Sequence, residues 1–146
     1  MNKFLVKALI ASIFLTLTTG AVAFAQLTDR LEVTVPFRFY AGDTWLPAGK
    51  YTITVPDSAD PSELLIQNNK DTVETFLTTI PATPANHPAD AMLDFARVGK
   101  KDFLSTIWVG GDATGYQLEE SRYEQKLEKM AMKKEMHSLK AHHTKR

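Results

Sequence analysis

The chain has 146 residues and no formal net charge at neutral pH; 44% of residues are hydrophobic and 23% charged, with seven glycines and seven prolines. That composition excludes collagen-like, wholly disordered and multi-span membrane classes. Cysteine is absent, which excludes disulfide frameworks, thiolate zinc sites, cysteine nucleophiles and a lipid-modified N-terminal cysteine.

Lys3 and Lys7 precede an apolar run from Ala8 to Leu17, and Ala23-Phe24-Ala25 follows it. A cationic start, an apolar stretch and small residues at −3 and −1 form a secretory signal pattern. Residues 1–25 are therefore read as a signal peptide cut before Gln26, with a cut after Ala23 as the second choice. The competing reading is an uncleaved anchor, although Thr16, Thr18, Thr19 and Gly20 dilute a span that wants ~20 mainly apolar residues. The expected location is periplasmic or secreted. Without the leader, 121 residues remain, one domain that buries roughly two-thirds of its unfolded surface.

From Leu31 to Phe39 apolar residues alternate with Glu32, Thr34, Pro36 and Arg38, the period of a half-buried strand. Pro36 cannot donate to a ladder and places that strand at an edge or a bulge. Leu46-Pro47-Ala48-Gly49 reads as a type I turn with Gly49 at positive φ. Tyr51, Ile53 and Val55 form the next strand, and residues 56–62 a loop. Glu63 to Gln67, Thr72 to Ile80, Ala91 to Val98 and Phe103 to Val109 complete six strands, with Pro81 to Asp90 as an extended loop. The expected fold is mainly β: a small antiparallel β-sandwich or barrel of about six strands over residues 26–118. Residues 119–146 are expected to form one C-terminal α-helix and a basic tail.

Ser121 and Glu124 form a capping box, and helix formers without Gly or Pro run from Arg122 through Lys140. On that helix Tyr123, Leu127 and Met130 share one face, expected to dock on the β domain. Met132, Met136 and Leu139 form a second stripe roughly opposite, flanked by Lys129, Lys133, Lys134 and Lys140 and expected to stay exposed. The alternative is a frayed, solvated end. Residues 26–118 hold seven Lys or Arg against twelve Asp or Glu, net −5, whereas residues 119–146 hold eight against five, net +3.

The stretch Val35-Pro36-Phe37-Arg38-Phe39-Tyr40-Ala41-Gly42-Asp43, followed by Leu46-Pro47-Ala48-Gly49-Lys50-Tyr51, resembles a recurrent block in an uncharacterised group of small exported proteins of acidobacterial type. Phe103 to Trp108, with Gly115, Leu118, Ser121 and Glu124 behind it, resembles the same group, so the likeness covers nearly all of the mature chain. The resemblance implies an exported β domain with a C-terminal helix and assigns no functional residue.

Chemistry-bearing residues are scattered. His87 sits in a proline-rich loop without a nucleophile motif, and Ser105 lies within a strand. Asp90 and Asp94 are the nearest carboxylate pair, a spacing that also describes two solvent-facing strand residues. His137, His142 and His143 do not share a helical face as metal ligands would. No catalytic residue, metal or cofactor is expected. Tyr40, Trp45, Tyr51, Trp108 and Tyr116 are candidates for a sugar-stacking surface, with Trp45 in a turn where exposure is expected.

The leading expectation is a non-enzymatic binding or structural module of the cell envelope. Its interaction surface would comprise Met132, Met136, Leu139, Lys133, Lys134 and Trp45. Partners would be an envelope protein, a polysaccharide, an anionic membrane surface or a second copy joined through the helix; export argues against nucleic acid. The alternatives are a small hydrolase acting on envelope polymers and a membrane-surface module using the basic helix.

Overall fold

A computed structural model describes residues 30–56, 62–70, 73–84, 88–111, 114–130 and 133–144. The leader, its cut before Gln26, His87 and Met132 lie outside the described residues. Within them the chain is mainly β, with eleven strands and one helix. In order these are β1 (Arg30–Val35), β2 (Phe39–Ala41), β3 (Thr44–Leu46), β4 (Gly49–Thr54), β5 (Glu63–Asn68), β6 (Glu74–Ala82), β7 (Met92–Val98), β8 (Lys101–Trp108), β9 (Gly115–Leu118), α1 (Arg122–Lys129), β10 (Lys134–Lys140) and β11 (His142–Thr144).

Period-two alternation does what it implies. In β1 Leu31, Val33 and Val35 are buried while Glu32 and Thr34 face solvent. They meet Phe39, Leu46, Tyr51, Ile53, Leu64, Ile66, Leu77, Leu93, Phe95 and Ile107 in one apolar cluster. Each fully buried side chain of this size contributes roughly 1.5–3 kcal/mol. Pro36 falls in the break between β1 and β2, where no ladder hydrogen bond is needed.

Eleven strands stand where about six were expected. The first expected strand is split at Pro36, and the presumed turn after Gly42 holds β3. Short β9 lies beyond the last expected strand, and two more strands follow the helix. Pairing runs β10-β7-β8-β9-β6-β5-β4-β1-β11, with β2 and β3 off this path. It is antiparallel except where β2 meets β8 at Tyr40 and Phe103.

Two segments change partner midway. Glu74 to Thr78 of β6 pairs with β5, and Thr79 to Ala82 pairs with β9. Likewise β10 pairs along β7, and one residue later β11 pairs with β1. The two ends of the strand order are therefore consecutive pieces of chain joined at Ala141, whose amide donates to the Ala91 carbonyl at 2.8 Å.

The helix is correspondingly shorter than expected. It starts as predicted, with the Ser121 hydroxyl accepting from the Glu124 amide at 3.1 Å, but it ends at Lys129 rather than Lys140. Residues 134–144 are strand because β7 and β1 each present a row of backbone groups that this segment satisfies, and that tertiary demand overrides helix propensity. Met136 and Leu139 of the expected stripe consequently do not share a face. A spacing of three puts Met136 and Leu139 on one side of a helix but on opposite sides of a strand. Met136 is exposed, and Leu139 packs against the main core. Of the docking face, Leu127 is buried with Val98 and Phe103, but Met130, at the helix end, is 63% exposed.

Gly49 does not take the expected positive φ. It pairs with Val35 inside the β1–β4 ladder, and the positive φ of this region belongs to Gly42, at 59°, in the β2–β3 turn. There a side chain would strain the backbone.

Candidate functional site

The aromatic residues considered for sugar stacking separate into structural and exposed groups. Tyr51 is buried, its hydroxyl donates to the Pro47 carbonyl, and burial pushes its phenol up. Trp108 donates from Nε1 to Asp94 Oδ2 at 2.7 Å, and its ring lies so closely over Gly115 that a methyl there would collide with it. Tyr116 packs against the main core. These three hold the fold.

Tyr40 and Trp45 differ. They stand directly opposite each other across the β2–β3 hairpin, so both side chains lie on one face. The Tyr40 ring stacks on Phe103 with centroids 5.1 Å apart and planes at 23°. Tyr123 of α1 closes the group, 5.3 Å from Tyr40 and 5.9 Å from Phe103. Trp45 itself is 48% exposed. The result is an aromatic surface braced from beneath by Phe103 and by a capped helix. Tyr123 was missed as a member, because its place on the helix says nothing about which strand it reaches.

A polar network fastens β10 to the sheet. Asp102, almost wholly buried, accepts from Arg97 Nε at 2.8 Å and lies 2.8 Å from His137 Nε2. The hydrogen bond and charge of Asp102 hold the Arg97 guanidinium above its usual value. The His137 ring stacks on Phe95 at 5.5 Å, and Phe37 meets it edge-on at 5.3 Å. On the other side of the strand the Ser138 hydroxyl donates to Asp94 Oδ1, and Lys140 reaches Asp90 at 3.0 Å. Adjacent strand residues point to opposite faces, so His137 and Ser138 cannot act on one another. His142 and His143 likewise alternate in β11 and do not gather with His137 as ligands.

Lys134 lies among three carboxylates. Its Nζ is 2.7 Å from Glu120, 2.7 Å from Glu128 and 3.3 Å from Glu124. Burial opposes the ammonium, but the hydrogen bonds it donates to Glu120 and Glu128 outweigh burial and hold Lys134 well above the ordinary lysine value. Burial pushes the Glu124 carboxyl up, the Lys134 charge draws it down, and burial prevails. The three carboxylates have oxygens within 4.8 Å of one another, the spacing of a cation site, and the lysine ammonium fills that role. Lys133 is engaged too, 2.8 Å from Glu135, which raises the lysine and lowers the glutamate.

Of the expected interaction residues, Trp45 alone joins an exposed aromatic surface. Lys133 and Lys134 are paired, Met136 and Leu139 diverge, and Met132 lies outside the described residues. Comparison with protein-family models, curated proteins and solved structures found no match.

Proposed function

We propose that the chain is an exported, non-enzymatic binding module of the cell envelope, built as a small β-sandwich or barrel. Its aromatic surface at Trp45, Tyr40 and Tyr123 would stack on the sugar rings of an envelope polysaccharide. The observation that carries this reading is the 48% exposure of Trp45 on a rigid support, opposite a Tyr40 stacked on Phe103. An exposed large aromatic held in place offers apolar area at little entropic cost, which is what binding surfaces use. Export rests on the Lys3 to Ala25 pattern and on the resemblance of the Val35 to Tyr51 block. The non-enzymatic part rests on occupancy: the Ser138 hydroxyl is engaged by Asp94, and the His137 imidazole by Asp102 on the opposite face. The sandwich or barrel rests on the two partner-changing segments, the device by which strands turn corners between sheets.

Titration of neutral oligosaccharide fragments, followed through the two tryptophan Nε1–H signals in NMR spectra, tests the reading. The Trp45 signal should move saturably, while that of Trp108, committed to Asp94, should stay. Trp45→Ala should weaken binding at least tenfold and leave the melting temperature within a few degrees. Binding that ignores Trp45→Ala would sink the proposal.

A further inference from the structure

A second site follows from the way the C-terminal segment crosses between its partners. Pairing of β11 with β1 covers Arg30, Leu31 and Glu32 and stops there. Beyond that point Ala141 is tied to Ala91 and β10 follows β7, so the chain leaves the β1 edge at Val33 and Thr34. The divergence opens a cleft of about 400 Å³, lined by the polar residues Glu32, Thr34, Lys50, Asn69, Lys140 and His142 and bordered by Val33, Tyr51 and Ala141. That volume lies toward the lower end of the roughly 300–1,000 Å³ common for small-molecule sites.

The charges in the cleft are unequal in availability. Glu32 lies 3.4 Å from Arg30, and Lys140 lies 3.0 Å from Asp90. Lys50 has no ion-pair partner among the described residues and stands opposite Thr34 across the β1–β4 ladder, on the same face. His142 stands opposite Glu32 in the β1–β11 ladder. The cleft therefore presents one uncommitted ammonium, an exchangeable second one at Lys140, and neutral hydrogen-bonding groups from Thr34 and Asn69. Glu32 adds an acceptor that repels a second negative charge.

We propose that this cleft binds a small hydroxylated carboxylate, a molecule of the sugar-acid class. Its carboxylate meets Lys50 and Lys140, and its hydroxyls meet Thr34, Asn69, His142 and Glu32. A bare oxyanion would leave most of the volume and the Glu32 acceptor unused, and a polyanion would meet the Glu32 carboxylate. The site shares no residue with the aromatic surface, so it stands or falls separately from the polysaccharide reading.

The test is titration of glucuronate into the full chain, with glucose and inorganic phosphate as separate arms, followed by backbone amide shifts. Glucuronate should move Thr34, Asn69 and His142 saturably and leave the Trp45 indole signal unchanged. Glucose, lacking the carboxylate, and phosphate, lacking the hydroxyls, should each bind at least tenfold more weakly. Lys50→Gln, at an exposed position, should keep the melting temperature and weaken glucuronate at least tenfold. Phosphate binding as tightly as glucuronate would overturn the proposal, as would unchanged affinity in Lys50→Gln or shifts confined to Trp45.

Discussion

Strand β6 and the β10–β11 segment perform the same task with different materials. Each pairs with one neighbour along its first part and another along its second. The β6 run Glu74 to Ile80 holds three threonines, a phenylalanine and an isoleucine, residues that favour a pleated surface, and it buries Leu77 and Thr79. The run Lys134 to Thr144 is KEMHSLKAHHT, in which lysine, glutamate and alanine are strand-poor, and its side chains are exposed or half-buried. Side-chain ties hold it instead: Lys134 to three glutamates, His137 to Asp102, Ser138 to Asp94 and Lys140 to Asp90. A bridging strand can thus be specified by its own propensity or by the partners that receive it.

Removing the second kind of bridge should have the largest effect. A chain ended at Met130 leaves β7 paired only with β8 and β1 only with β4, and exposes Leu93, Phe95 and Leu31 along their open edges. Domain stability is only about 5–15 kcal/mol, and loss of two strands is expected to abolish the cooperative thermal transition seen by circular dichroism. A truncated chain that melts sharply near the wild-type temperature would break the comparison, because the segment would then be an accessory.

The same contrast explains what could be read from the residues alone. The strands around Val33, Ile53, Ile66, Leu77, Phe95 and Ile107 were legible because period-two patterning, β-branched residues and turn punctuation agree there. Strand β3 was not, since three residues between two turn signals carry no period. The β10–β11 segment was read as helix because local propensity points that way; the demand for a strand comes from β7 and β1, far off in sequence. The site was legible in part. Trp45 was expected to be exposed, but its place beside Tyr40 and Tyr123 depends on the β2–β3 register and on α1 lying beside Phe103. The cleft at Lys50 and His142 exists only because the C-terminal chain bends at Ala141 and leaves no local signature.

Single substitutions sharpen the comparison. Leu77, 4% exposed in β6, should cost about 3 kcal/mol when cut to alanine, from lost burial and the cavity left behind. Leu139 of β10 is only partly buried, and Leu139→Ala should cost about 1 kcal/mol. Equal losses in chemical denaturation would show that β10 is held by apolar packing after all. The polar ties should answer in between. Asp102→Ala removes the acceptor shared by Arg97 and His137, at a cost of about 2 kcal/mol. Much of that should disappear in a His137→Ala background, and additivity of the two changes would refute the link.

The smallest expected effect is electrostatic and has a defined pH form. In the folded chain Lys134 sits above the ordinary lysine value of 10.5, so its contribution is complete below pH 10.5 and fades as pH rises through the folded value. Glu124 is the reverse case. Its folded value lies above the ordinary 4.5, so the buried carboxylate costs stability as pH rises past 4.5, and Lys134 limits that cost. Lys134→Gln should therefore be most destabilising between these limits. The side chain of Lys134 is about one-third exposed, solvent screens it, and about 1 kcal/mol is expected near neutrality. The difference between wild type and variant should shrink below the folded value of Glu124, where protonation leaves the lysine less to neutralise, and again above pH 10.5. Burial also raises the Tyr51 phenol, but that ionisation is common to both proteins and cancels in the difference. Denaturant midpoints from pH 3 to 11 measure it. A flat difference would mean that the ammonium does not hold β10 against α1 by charge.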